Sequence, residues 1–181
     1  MSKAGSVAGV LLAAGAGKRF GMPKVLADQG DWLRAAVDAL ARGGCDDVVV
    51  VLGAAIVDVP PPARAVVAAD WATGVSASLR TGLAAIVGAD LAVLHLVDTP
   101  DVGADVVARV LGMAASSESG LARASYDGRP GHPVVVARRH WEALSATLRG
   151  DQGARAFLMG RDDVRTVECG DLASGVDVDQ R

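Results

Sequence analysis

Val10-Leu11-Leu12-Ala13-Ala14-Gly15-Ala16-Gly17-Lys18-Arg19-Phe20-Gly21-Met22-Pro23-Lys24 is the stretch on which the fold turns. A continuous apolar run ends abruptly in a loop of glycines and cations. Such a run without alternation reads as a strand buried on both faces, as in a parallel sheet. Glycines let backbone N–H groups crowd an anion with no side chain in the way, and Lys18, Arg19 and Lys24 add positive charge. A strand that feeds such a loop is how an α/β domain meets a nucleoside triphosphate.

Two familiar glycine loops do not fit. A P-loop requires a glycine five residues before Gly17 and a Ser or Thr after Lys18; this chain has neither. A dinucleotide fingerprint requires a third glycine where Phe20 stands, and a carboxylate at the end of the second strand, where Leu52-Gly53-Ala54 occurs. The remaining pattern, L-A-A-G-x-G-x-R-F/M-G-x-x-K, is that of enzymes joining a nucleoside triphosphate to a phosphorylated acceptor. A plain glycine turn with solvated cations would look the same in isolation, so the rest of the chain decides.

Working outward, strands are expected at Val7–Leu12, Asp47–Leu52, Arg64–Ala68, Leu91–Val97, Leu121–Tyr126, His132–Ala137 and Arg165–Glu168. Helices are expected at Trp32 to Arg42 (capped by Asp31), Ser76–Val87, Ala104–Met113, Arg139–Leu148 and Gly153–Met159. Their alternation implies a three-layer, mostly parallel α/β sheet forming a single domain over residues 1–181. Ligands of such sheets lie beyond the carboxyl ends of the strands, where the Gly15 loop and Asp98 both emerge.

The 181-residue chain is long enough for one sizeable core, with 51% apolar and only 3% aromatic residues. A net charge of −3 argues against nucleic-acid binding. No apolar run reaches the roughly 20 residues of a membrane span. The start, Met1-Ser2-Lys3-Ala4-Gly5-Ser6, has no secretory h-region, so a cytoplasmic location is expected. Cys45 and Cys169, lone and far apart, read as small buried residues in a reducing compartment.

Four constellations carry chemistry. In the loop, Arg19 and Lys24 are candidates for offsetting charge on the α-phosphate and the leaving pyrophosphate; an exposed Lys18 has the weakest claim. In Leu96-Val97-Asp98-Thr99-Pro100, Asp98 is either a helix N-cap or a magnesium ligand. Asp101 is better placed to start the helix, which favours the metal role. Asp177, or Asp179 beside it, would supply a second carboxylate unless Val176-Asp177-Val178-Asp179 is a solvated tail. In Asp70-Trp71-Ala72-Thr73-Gly74-Val75-Ser76-Ala77-Ser78, Gly74 frees the backbone, while Ser76 and Ser78 either read a base edge or, for Ser76, cap the helix. In Gly128-Arg129-Pro130-Gly131-His132-Pro133, Arg129 and His132 could hold an acceptor phosphate, although a tight turn alone explains the glycines and prolines. Asp151 reads as the cap of a short helix whose start, with Arg155, would favour anions.

Taken in order, these segments resemble the molybdenum cofactor cytidylyltransferase family, in the molybdopterin nucleotidyltransferase group. The matching residues are Leu12-Ala13-Ala14-Gly15 with Arg19, Gly21 and Lys24; Trp71, Gly74 and Ser76-Ala77-Ser78-Leu79-Arg80-Thr81-Gly82-Leu83; Asp98 and Pro100; Gly131-His132-Pro133-Val134; and Asp151 with Gly153-Ala154-Arg155. The first piece is shared with many nucleotidyltransferases. The second, with the Gly-His-Pro-Val turn, is more specific to this family. Phe20 in place of a commoner methionine, and Pro130 in the turn, depart from its pattern.

The resemblance implies a Rossmann-like nucleotide-diphospho-sugar transferase fold. It also implies CTP as donor, Mg2+ as cofactor and the molybdopterin cofactor as acceptor, with a recipient molybdenum hydroxylase downstream. By that analogy Leu12, Ala13, Ala14, Gly15, Gly17, Arg19, Lys24, Gly74, Ser76 and Ser78 bind the nucleotide, with the Ala13-Ala14-Gly15 stretch reading cytosine. Arg129, His132 and Arg155 then hold the acceptor, Asp98 and Asp177 hold the metal, and Arg19, Lys24 and Asp98 are catalytic. The implied reaction is attack of the pterin's terminal phosphate on the α-phosphate of CTP, giving molybdopterin cytosine dinucleotide and pyrophosphate. The readings weighed against it are a nucleotidyltransferase using GTP with molybdopterin or CTP with a sugar or polyol phosphate, and a non-catalytic carrier of the molybdenum cofactor.

Overall fold

The computed structural model describes residues 5–180; the lead-in at positions 1–4 lies outside the described residues. The elements follow as β1 (Val7–Ala13), α1 (Asp31–Arg42), β2 (Asp47–Leu52), β3 (Arg64–Val67), α2 (Val75–Ala84), β4 (Leu91–Leu96), α3 (Ala104–Ser116), β5 (Leu121–Tyr126), β6 (Arg129–Ala137), α4 (Trp141–Thr147), α5 (Arg155–Leu158) and β7 (Arg165–Glu168). The seven strands form one sheet in the order β3-β2-β1-β4-β6-β5-β7. β1 pairs parallel with both β2 and β4. β6 is antiparallel to β4 and β5, and β7 returns parallel to β5. One strand is therefore reversed, and the expected three-layer, mostly parallel α/β fold is present.

The sequence explains the layering. β1, β2 and β4 are apolar at nearly every position because both faces are covered. Leu11, Val50 and Val93 meet α1 and α3, which contribute Leu33, Val37, Leu40, Val106 and Val110. Val10, Val49, Val51 and Leu94 meet α2, α4 and α5, through Leu79, Leu83, Leu144 and Phe157. α2 approaches so closely that a Cβ on Gly82 would collide with Val10.

Several expected boundaries move, each for a local reason. α1 begins at Asp31 itself. Its N-cap is Gly30, at φ +87°, because the preceding turn brings the chain in through a left-handed backbone. Gly74, not Ser76, is the N-cap of α2, and Ser76 makes no capping hydrogen bond. Gly103, not Asp101, caps α3. The last helix shrinks to the four residues of α5, whose N-cap is Ala154; Asp151 does not cap it, so the expected anion-favouring helix start is not formed there. β6 begins at Arg129, which reduces the expected five-residue turn to Asp127-Gly128. Both residues have positive φ, at 51° and 81°, the conformation that an Asp-Gly hairpin turn supplies at low strain.

The chain runs outward from β1 to β3, then crosses back to lay β4 on the other side of β1. A crevice opens beyond the carboxyl ends of β1 and β4, where the direction of travel reverses.

Candidate active site

The loop leaving β1 turns back on itself. Gly17 sits at φ +62°, and a Cβ there would strike the Met22 carbonyl; the Gly21 N–H donates to the Gly17 carbonyl at 2.8 Å. This tight return carries Lys24 back over the end of β1. Gly15 is different: a Cβ there would meet no atom within 4 Å and would project into open space.

Asp98 follows β4, and the neighbouring Val97 N–H still donates to Leu12 of β1 at 3.3 Å. Lys24 Nζ donates to Asp98 Oδ2 at 2.8 Å and to Asp179 Oδ1 at 2.9 Å. The first pair is shielded, with side chains 16% and 19% exposed, whereas the Asp179 side chain is 58% exposed. Burial works against the charge on Lys24, but the two carboxylates outweigh it and raise the pKa above the ordinary lysine value. The other oxygen of Asp98, Oδ1, is buried with no hydrogen-bond partner.

The C-terminal segment lies across this corner. Val178 N–H donates to the Asp98 carbonyl at 2.9 Å. Ser174 donates through both its N–H and its hydroxyl to Asp101, at 2.7 and 2.6 Å, which is where Asp101 is engaged. Partial desolvation, then the like charges of Asp98 and Asp179, push the Asp177 carboxyl up. The hydrogen bond from Lys24 holds Asp179 down, with Arg19 adding to the effect.

A cavity of about 490 Å³ opens beside the Lys24–Asp98 pair. Its walls include Leu12, Ala13, Ala14, Gly15 and Gly17 from the loop, then Trp71, Gly74, Ser78, Asp98 and Asp151. Trp71 packs where Gly53 and Ala14 leave room; a Cβ on Gly53 would come within 2.6 Å of it. Gly74, at φ +126°, lies so near the Gly150 carbonyl that a side chain would collide with it. The Ser76 N–H donates to that same carbonyl at 3.0 Å, tying the start of α2 to the segment before α5.

Most of the nucleotide set expected from sequence thus faces one cavity. Ser76 is buried and does not line it, and Arg19 is exposed and does not line it either. Among the described residues, no three His, Cys, Asp or Glu side chains converge as a ready-made metal cage.

The acceptor residues gather at the next strand. Because β6 runs antiparallel to β4, with Leu94 opposite Val134, its N-terminal end reaches the same sheet edge as Asp98. His132 therefore stands level with Leu96. Packing around its ring, and then the charge of Arg123, lower its pKa to about 4, while Asp98 pulls the other way; the imidazole is neutral at pH 7. Arg155 is exposed at the start of α5, and its charge reaches Arg123. Arg129 is exposed at the hairpin, at the start of β6.

Two residues here escaped the sequence reading. Arg123 is the one charge within the otherwise buried Leu-Ala-Arg-Ala-Ser-Tyr strand, and its Nε is buried without a partner. His95 interrupts the apolar β4 strand. It is fully buried with both ring nitrogens unpartnered, and burial lowers its pKa to about 3. In both cases the signal was a polar side chain in a strand that is otherwise core.

Residues 9–165 match the MobA-like NTP transferase domain. The chain belongs to that family. A relative 38% identical, nicotine blue oxidoreductase of Paenarthrobacter nicotinovorans, aligns with 96% of this chain and 92% of its own length. Among solved structures, Rv0371c of Mycobacterium tuberculosis H37Rv superposes with a TM-score of 0.77 at 29% identity, over 98% of this chain and 95% of that one. Rv0371c in complex with manganese gives a TM-score of 0.70 at 27% identity, over 96% and 94%. As a MobA-like domain, the protein is of nucleotidyltransferase type, and the crevice between β1 and β4 lies where such α/β sheets hold their ligands. No helix among the described residues is long and apolar enough to cross a membrane.

Proposed function

We propose that the protein transfers CMP from CTP to the terminal phosphate of the molybdopterin cofactor, releasing pyrophosphate and forming the cytosine dinucleotide. The observation that carries this reading is the Lys24–Asp98 contact at the mouth of the glycine-loop cavity. An acceptor phosphate oxygen forms a bond to the α-phosphorus, and the bond from that phosphorus to the bridging oxygen breaks. The electron pair leaves with pyrophosphate. No covalent enzyme intermediate is required, since the acceptor is already anionic.

Each residue has a physical task in this reading. The Ala13–Gly17 backbone and Ser78 position the nucleotide, with Ser76 and Gly74 fixing the wall behind it. Lys24 and Arg19 offset the charge of two phosphates that repel each other. The orphaned Asp98 Oδ1, with the nearby Asp177 carboxylate, suits a hard divalent cation, which takes oxygen ligands and needs few carboxylates when substrate phosphates complete its shell. Mg2+ held there would supply further charge neutralisation. His132, Arg155 and Arg129 lie on the acceptor side, and the product would pass to a molybdenum hydroxylase. A cytoplasmic location fits this role.

The test is a pyrophosphate-release panel, with CTP and GTP each offered molybdopterin, a sugar phosphate or a polyol phosphate. CTP with molybdopterin is expected to be fastest. Release only with another pair reassigns the substrates.

The relative named as an oxidoreductase supports a second reading, in which the protein carries out a redox reaction on an organic substrate rather than a nucleotidyl transfer. Redox turnover of nicotine blue by the pure protein, and no pyrophosphate from any triphosphate, would decide for it.

A further inference from the structure

β5 places Arg123 opposite Val134 of β6, just before a register shift between Arg123 and Ser125. Its strand neighbour Leu121 and its cross-strand partner Val134 both belong to the core beneath α2, α4 and α5. Arg123 therefore faces the side of the sheet that carries Ser78, Asp151 and the cavity. A guanidinium is charged at every accessible pH and has five donors. In this position the Nε is buried and unpartnered, and neither Arg123 nor Arg155 has a hydrogen-bond or ion-pair partner among the described residues. Every other partly buried cation near the site has found an acid: Lys24 has two. Leaving a desolvated cation unpaired is costly, and a fold tolerates that cost where a ligand supplies the missing anion.

We infer that Arg123, together with Arg155 and His132, forms an oxyanion seat for the phosphate monoester of the acceptor, separate from the glycine loop. This rests on the phosphoryl-acceptor reading above and names the residue that holds the acceptor. Arg123 is fixed on a strand, whereas Arg129 stands out on the hairpin. A planar fork binds two phosphate oxygens at once, which a lysine cannot reproduce. The neutral His132 ring is free to donate one hydrogen bond to the same group.

The experiment titrates inorganic phosphate into the full-length protein, followed by calorimetry and by thermal shift. Arg123→Ala is expected to weaken phosphate binding at least tenfold, Arg123→Lys to weaken it severalfold, and Arg42→Ala, on the opposite face, to leave it within twofold. If Arg123→Ala does not fold, Arg123→Gln keeps the length of the side chain and removes the charge, and the same tenfold loss is expected. Binding in the folded Arg123 variant within twofold of the parent overturns the seat, as does loss of all phosphate binding in Lys24→Ala. The two readings fail separately. Phosphate binding at Arg123 without pyrophosphate release from any pair sinks the transferase assignment alone. Full turnover with phosphate binding indifferent to Arg123 sinks the seat alone.

Discussion

Lys24 lies between two carboxylates, and its role is separable from theirs. If it offsets charge developing at the α-phosphate, Lys24→Ala should lower the rate of pyrophosphate release by about 10²-fold or more, the scale seen when one pre-placed transition-state donor is removed. Steady-state kinetics of the variant with CTP and acceptor measure this. His95 offers a test that does not touch the chemistry. Its folded pKa of about 3 lies below the ordinary value of 6.5, so the unfolded chain takes up a proton that the folded chain refuses. Stability therefore falls as pH drops below 6.5, by about 2 kcal/mol at pH 5 for this ring alone. His95→Leu removes the titration and two unpartnered nitrogens. Its unfolding free energy should be less sensitive to pH between 6.5 and 5 than that of the parent, as urea melts across that range would record. Cys45 gives a simpler outcome. Burial, then Asp46 and Asp47, push its thiol up to about 12, so it should resist alkylation at pH 8 until the protein is unfolded.

At the level of elements, α2 packs closely on β1 at Gly82. Gly82→Ala pits two effects against each other. Alanine improves helix propensity by roughly 1 kcal/mol. The added methyl, however, runs into Val10 in a close-packed interior, where overpacking costs about 1–3 kcal/mol. The clash should win or nearly cancel the gain, and chemical denaturation should show no stabilisation from this substitution. Strands were the most legible elements in the sequence, because β1, β2 and β4 are short and apolar at nearly every position. Helix starts were the least legible. Asp31, Ser76, Asp101 and Asp151 all looked like caps, yet the caps are Gly30, Gly74, Gly103 and Ala154. Capping depends on the backbone angle at which the chain enters a helix, and at Gly30 and Gly74 that angle is open mainly to glycine. The candidate site was legible in its loop and in Asp98, where composition itself is unusual. Arg123 and His95 were missed because one polar residue within a strand is visible only against neighbours that the fold supplies.

For the molecule as a whole, ligand binding and folding are linked. A nucleotide that binds only the folded crevice, at a hundredfold excess over its Kd, adds about 2.7 kcal/mol. For a domain of this size that corresponds to roughly 5–10 °C in Tm. CTP with magnesium is expected to produce such a shift, and Asp98→Ala to reduce it; scanning calorimetry with each triphosphate in turn would rank the donors directly.

The reversed strand β6 has a wider consequence. The glycine loop, the Trp71 turn and Asp98, which line one cavity, come from the first hundred residues, while Arg123, His132 and Arg155 come from the chain beyond them. The two stretches join along the β4–β6 seam, where one strand direction inverts. In the proposed reading most donor-side residues precede most acceptor-side residues in the chain, with Asp151 and the C-terminal carboxylates returning to the donor side. If that reading holds, changes confined to β5, β6 and α5 would alter the second substrate while β1 to β4 stay as they are.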